Sequence, residues 1–123
     1  MATFVRLYPG KIYEIWITKQ NSGSQVMEFG DSRPPATYRK LRSIVERTAN
    51  EGKYTSTEIY NPIGNGIYEF KAHSARVYSF NDGQRIILTH GANKPKSHAG
   101  VIHEQKLSIR TRTEYNNWKG QKD

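Results

Sequence analysis

The chain has 123 residues, 35% of them apolar, with eight tyrosines, two tryptophans, no cysteine and a formal net charge of +8. That length supports a single domain over residues 1–123 with one modest core, and the aromatic content sets it apart from disordered chains. The lack of cysteine excludes disulfides and thiolate metal ligands. Apolar runs no longer than Ile15-Trp16-Ile17 exclude a bilayer-spanning helix, and no signal-peptide apolar region stands at the start, so a soluble cytoplasmic protein is expected.

In chain order, residues 3–8 and 11–18 are β-rich runs split by Pro9-Gly10. Tyr13, Ile15 and Ile17 alternate onto one face of the second run. Residues 19–25 form a polar loop, and Val26–Phe29 make one short helical turn before Gly30. A helix follows over 34–51, capped by Asp31 or Ser32 and started by Pro34-Pro35. Leu41, Ile44, Val45, Thr48 and Ala49 give it one apolar stripe, and Gly52 ends it.

Residues 53–65 read as a loop or ragged strand. Strands then run over 67–72, 75–81 and 84–90, with Asn81-Asp82-Gly83 as a tight hairpin turn. After Pro95 a polar, basic helix covers 98–118, with sparse apolar residues at Ala99, Ile102 and Ile109. Tight turns between successive strands imply an antiparallel meander. The fold expected is α+β in two layers: a small antiparallel sheet packed against helices, with a basic C-terminal helix. The 34–51 helix covers one sheet face and leaves the other for cations.

A basic excess this large on a small domain favours a polyanionic partner, most often nucleic acid. Lys71 and His73 share one side of an extended strand, and Arg76 returns beside them across a short turn. Cutting RNA needs a 2′-hydroxyl activated, phosphate charge stabilised and a leaving oxygen protonated. An arginine fork suits the phosphate, and His or Lys can move protons. A solvated face of ordinary surface cations is the competing reading. Lys94 and Lys96 flank Pro95 at a sheet edge where they can contact backbone phosphates, and Arg85 adds a further cation. His98 and His103 are five residues apart, about 500° of helical rotation, too splayed to share a metal. His90 reads as a half-buried histidine satisfied by backbone. No GxGxxG, P-loop or GxSxG motif is present.

Several segments together resemble HigB-like toxins of the RelE/ParE superfamily, many of them phage-derived. The run Tyr13–Ile17 followed by Ser22–Phe29 looks like their opening strand and turn. Leu41–Gly52 is similar to their long helix. Gly66–Lys71, Ala75–Phe80 and Arg85–Gly91 with Lys94 look like their last three strands. The resemblance covers about residues 11–118.

It implies a compact sheet backed by helices and a metal-independent ribonuclease, without cofactor, that cuts mRNA, usually on the ribosome. It also implies neutralisation by a small antitoxin, of helix-turn-helix type. By position, Arg76 matches the arginine placed at the scissile phosphate, Lys71 a basic strand residue and Lys94 the lysine after the last strand. His73 falls where some members carry a base. The chain departs from the pattern at Ala92-Asn93 and Pro95, and no tyrosine stands early in the last helix, where His98 or His103 can substitute. The general base therefore stays open. A non-catalytic basic module that binds RNA or a partner, and a ParE-like inhibitor of a DNA enzyme, are the alternatives on the same fold.

Overall fold

The computed structural model describes residues 2–21, 23–52 and 60–122. The chain begins with an antiparallel hairpin, β1 (Thr3–Pro9) and β2 (Glu14–Lys19). Two helices follow, α1 (Gln25–Asp31) and α2 (Pro35–Glu51). Four strands come next: β3 (Tyr60–Gly64), β4 (Ile67–Ala72), β5 (Ala75–Asp82) and β6 (Arg85–Asn93). A 25-residue helix, α3 (His98–Lys122), ends the described chain.

The expected strand positions agree with these elements to within a few residues, and the α+β class holds. The sheet itself is larger than expected and mixed. Its six strands run in the order β1-β2-β6-β5-β4-β3. β3 to β6 form the anticipated antiparallel meander, but β2 lies parallel to β6. The parallel pair arises because the chain leaves β2 through α1 and α2 and returns only at the far edge, a crossover that parallel neighbours require. Of the segment 53–65, expected as loop or ragged strand, residues 53–59 lie outside the described residues and 60–64 form the strand β3.

Two-layer packing is corrected to three layers. α1 and α2 cover one face over a core that includes Ile15, Leu41, Ile44, Val77 and Leu88. α3 covers the other face, over Phe4, Ile67, Tyr78, Phe80 and Ile87. No open sheet face is left for cations. Of the sparse apolar residues expected on α3, Ile109 packs against this core and Ile102 is exposed, while the buried positions are Glu104, Ser108 and Tyr115. Two of those three are polar and are buried because they are hydrogen-bonded to the sheet, which hides the stripe from a hydrophobicity pattern.

The helix starts are also corrected. α2 is capped by Pro34 without a side-chain bond, and Ser32 instead ends α1. Gly52 does terminate α2, at φ +91°, a conformation glycine tolerates best.

Candidate functional site

β4 and β5 are joined by the two-residue turn His73-Ser74, which sets Lys71 directly opposite Arg76. Both side chains point to the α3 face, toward Glu69. The Lys71 ammonium is 3.8 Å and the Arg76 Nε 3.9 Å from the Glu69 carboxylate. Arg76 is 7% exposed. Its Nη1 donates to the carbonyls of His73 at 2.8 Å and Ala75 at 2.9 Å, so the guanidinium also braces the turn. The backbone N–H of Lys94 donates to the carbonyl of Ser74 at 2.7 Å. The segment leaving β6 is thereby tied beside the β4–β5 turn, and Lys71, Arg76 and Lys94 gather at one end of the sheet. Lys96 and His98 follow, exposed, on the way into α3.

Two expected members lie elsewhere. His73 is not on the strand face with Lys71. It sits in the turn at φ +54°, and its Nδ1 is 2.7 Å from the Thr37 hydroxyl on α2, across the sheet from Arg76. Strand alternation stops at Ala72, so it does not govern this side chain. Arg85 pairs with Asp82 at the opposite end of β6, roughly 20 Å along the strand from Ala92, the partner of Arg76. There it lies over the Trp16 ring at 4.2 Å and donates to the Tyr115 hydroxyl at 3.0 Å. His103 is exposed on α3 and near enough to His90 for its charge to act on that ring.

Behind the cation end lies a polar row of which the sequence singled out only His90. His90 stacks on Tyr78 at 4.9 Å, and its Nε2 meets the Glu104 carboxylate at 3.2 Å. Its Nδ1 is 3.0 Å from the Thr89 hydroxyl, itself 2.9 Å from the Ser108 hydroxyl. A carboxylate only accepts, so the neutral ring carries its proton on Nε2. Ser108 then donates to Thr89, whose single hydroxyl proton is shared between Nδ1 at 3.0 Å and the Tyr78 carbonyl at 3.3 Å. His90 is thus satisfied by side chains rather than by backbone. Burial pushes its pKa down, outweighing the upward pull of Glu104.

Thr89, His90 and Glu104 have the connectivity of a nucleophile, base and orienting acid. The arrangement cannot act that way, because Thr89 is 2% exposed and no substrate reaches its hydroxyl. The Tyr78 hydroxyl is buried without a hydrogen-bond partner among the described residues, and burial raises its pKa. Glu69 was legible in sequence as the same-face neighbour two before Lys71. Glu104 and Ser108 carried no such signal, being distant in sequence and polar.

The far end of the sheet is locked to α3 by a second network. The Tyr115 hydroxyl donates to Asp82 at 2.6 Å, and the Lys119 ammonium donates to the same oxygen at 2.7 Å. Lys119 and then Tyr115 hold the Asp82 carboxyl below the usual carboxylate range. Glu14 is likewise lowered, first by the Trp16 indole N–H and then by Arg6.

Among the described residues no group of three or more His, Asp or Glu is placed to hold a metal ion, and no helix is long and apolar enough to cross a membrane. No family model matches the chain, and no curated protein matches it.

Proposed function

We propose that the chain is the toxin of a type II toxin–antitoxin pair, a HigB-like member of the RelE/ParE superfamily that cuts mRNA on the ribosome without a metal. The observation that supports this reading is the gathering of Lys71, Arg76 and Lys94 from three successive segments at one sheet end. The segments that carry the resemblance also fall on β2, α2, β4, β5 and β6, and those four strands are neighbours in the sheet. In this reading Lys71 and Lys94 draw in the RNA backbone. Arg76, braced by two carbonyls, stabilises charge developing on the scissile phosphate without having to reorganise. Lys96 and His98 extend the path for the strand. The antitoxin, of helix-turn-helix type, neutralises the protein.

The test is purified protein with ribosomes and message in EDTA. Cleavage is expected, and Lys71→Ala and Arg76→Lys should each slow it, the latter by about a hundredfold or more, the scale of one transition-state donor. Because Arg76 also braces the turn, thermal unfolding of each variant is measured alongside. Intact message with folded protein overturns the nuclease reading.

One observation favours a second reading. Arg76 is nearly buried and already bonded to the carbonyls of His73 and Ala75. A basic module that holds RNA without cutting needs nothing more from it. That module retains RNA in a salt-dependent way and yields no cleavage products. A ParE-like inhibitor would leave message intact while causing DNA damage signalling.

A further inference from the structure

At the end of the sheet away from Lys71 and Arg76, a cavity of about 180 Å³ lies among Tyr13, Tyr60, Tyr68, Asn81 and Ile86. It begins where α2 gives out. The Tyr13 N–H donates to the carbonyl of Ala49 at 2.9 Å, just before Gly52 ends that helix. Asn81 is five residues along β5 from Arg76, roughly 17 Å, and strand alternation puts it on the opposite face of the sheet. Its partner on β6, Ile86, is buried and gives the cavity its apolar side. The rings of Tyr60 and Tyr68 stack at 5.0 Å with 12° between their planes. Tyr60 is buried, with its hydroxyl against Ser79 and Asn81. Tyr13 and Tyr68 are half-buried, and among the described residues their hydroxyls form no hydrogen bond. The hydroxyls of Tyr8 and Tyr115, by contrast, are bonded to Asn50 and Asp82.

We propose that this cavity takes the adenine ring of a nucleoside, free or within an RNA strand. Three features narrow the ligand to a neutral heterocycle, and a fourth selects the base. First, three tyrosine rings offer faces and edges on which a flat ring stacks. Second, no lining residue carries a charge, so a buried phosphate or carboxylate would lack a counter-ion. Third, the volume falls below the roughly 300 Å³ at which small-molecule sites usually begin, so one heterocycle enters while ribose and phosphate stay outside. Fourth, Asn81 is exposed at the rim, and its amide sets a donor beside an acceptor. That pair matches the amino group and adjacent ring nitrogen of adenine. The unbonded Tyr13 and Tyr68 hydroxyls are left to meet the remaining ring nitrogens. The site stands apart from the cation end and does not rest on the nuclease reading.

The test is calorimetric titration of the whole chain with adenosine, uridine and a short oligoadenylate, carried to millimolar concentration. Adenosine should saturate one site and bind about tenfold or more tighter than uridine. Asn81→Asp keeps the acceptor and removes the donor, and should weaken adenosine by about tenfold. Tyr68→Leu should weaken it by a similar factor through lost stacking. The remote Lys106→Glu should leave it unchanged. Thermal unfolding checks each variant. Tyr68 packs on the core, whereas Asn81 is exposed, so Asn81→Asp keeps its fold even where Tyr68→Leu does not. Oligoadenylate binding that Asn81→Asp weakens assigns the base to an RNA strand. Oligoadenylate binding indifferent to Asn81→Asp, with adenosine binding sensitive to it, assigns the site to a free nucleoside. The proposal is overturned if adenosine shows no saturable binding, if uridine binds equally, or if folded Asn81→Asp binds adenosine as well as the parent. None of these outcomes reports on cleavage, so the nuclease reading stands or falls separately.

Discussion

Lys71 and Arg76 face each other across β4 and β5 and share one carboxylate, that of Glu69, at 3.8 and 3.9 Å. Two cations held side by side in partial burial repel each other, and the carboxylate between them offsets that repulsion. The arrangement keeps both positive groups at one end of the sheet without requiring either to be fully solvated. Lys71 is the more accessible of the two and Arg76 the more fixed, a division that suits capture by one and positioning by the other.

Lys71→Ala should weaken binding to single-stranded RNA. If Lys71 contacts a phosphate, the slope of log affinity against log salt should become shallower by about 0.7. Fluorescence anisotropy at several salt concentrations measures this. An unchanged slope would place the RNA path away from β4.

His90 should make stability depend on pH. Its folded pKa is depressed by burial, so the unfolded chain binds the proton more readily. The stabilisation is complete above about pH 6.5, the ordinary histidine value, and is lost as pH falls through that value toward the folded pKa. The charged groups that bear on the ring are Glu104 and His103 from α3. Arg76 and Glu69 line the same row beneath, around Tyr78. Melting temperatures should drop between pH 7.5 and 5.5, and His90→Gln should flatten that drop. Parallel curves for parent and variant would assign the dependence elsewhere.

Gly91 is in close contact with the ring of Phe29, so a Cβ there would overlap the ring carbons. Gly91→Ala should destabilise the fold by about 1–3 kcal/mol, the range for forcing extra volume into a packed site. Phe29→Leu in the same chain should recover part of the loss, which denaturant unfolding can show. Equal stability of Gly91→Ala and parent would mean that α1 shifts freely on β6.

Tyr115→Phe should cost about 1–2 kcal/mol. It leaves the partly buried Asp82 one donor short and removes an acceptor from Arg85. Because the ring is kept, the aromatic packing on Phe4 and Phe80 is preserved and the loss reports the hydroxyl alone. Chemical denaturation of the two proteins gives the difference directly.

Much of this protein was determined by local pattern. Alternation and turn residues located β1, β2, β4, β5 and β6, while β3 lay inside the 53–65 segment that read as either loop or ragged strand. The α2 stripe of Leu41, Ile44, Val45, Thr48 and Ala49 is buried as its spacing requires, and Gly52 stops the helix as a left-handed position demands. The Lys71–Arg76 pairing also followed from a short turn between adjacent strands, because register near a tight turn is a local property. What lies far apart in sequence was decided only by tertiary structure. The parallel contact of β2 with β6 depends on where the chain returns after two helices, not on either strand's own residues. The seating of α3 rests on Glu104, Ser108 and Tyr115, whose burial is stabilised by hydrogen bonds to partners 14 to 33 residues away. A polar residue read alone belongs in water, and only the arrival of its partner makes burial favourable.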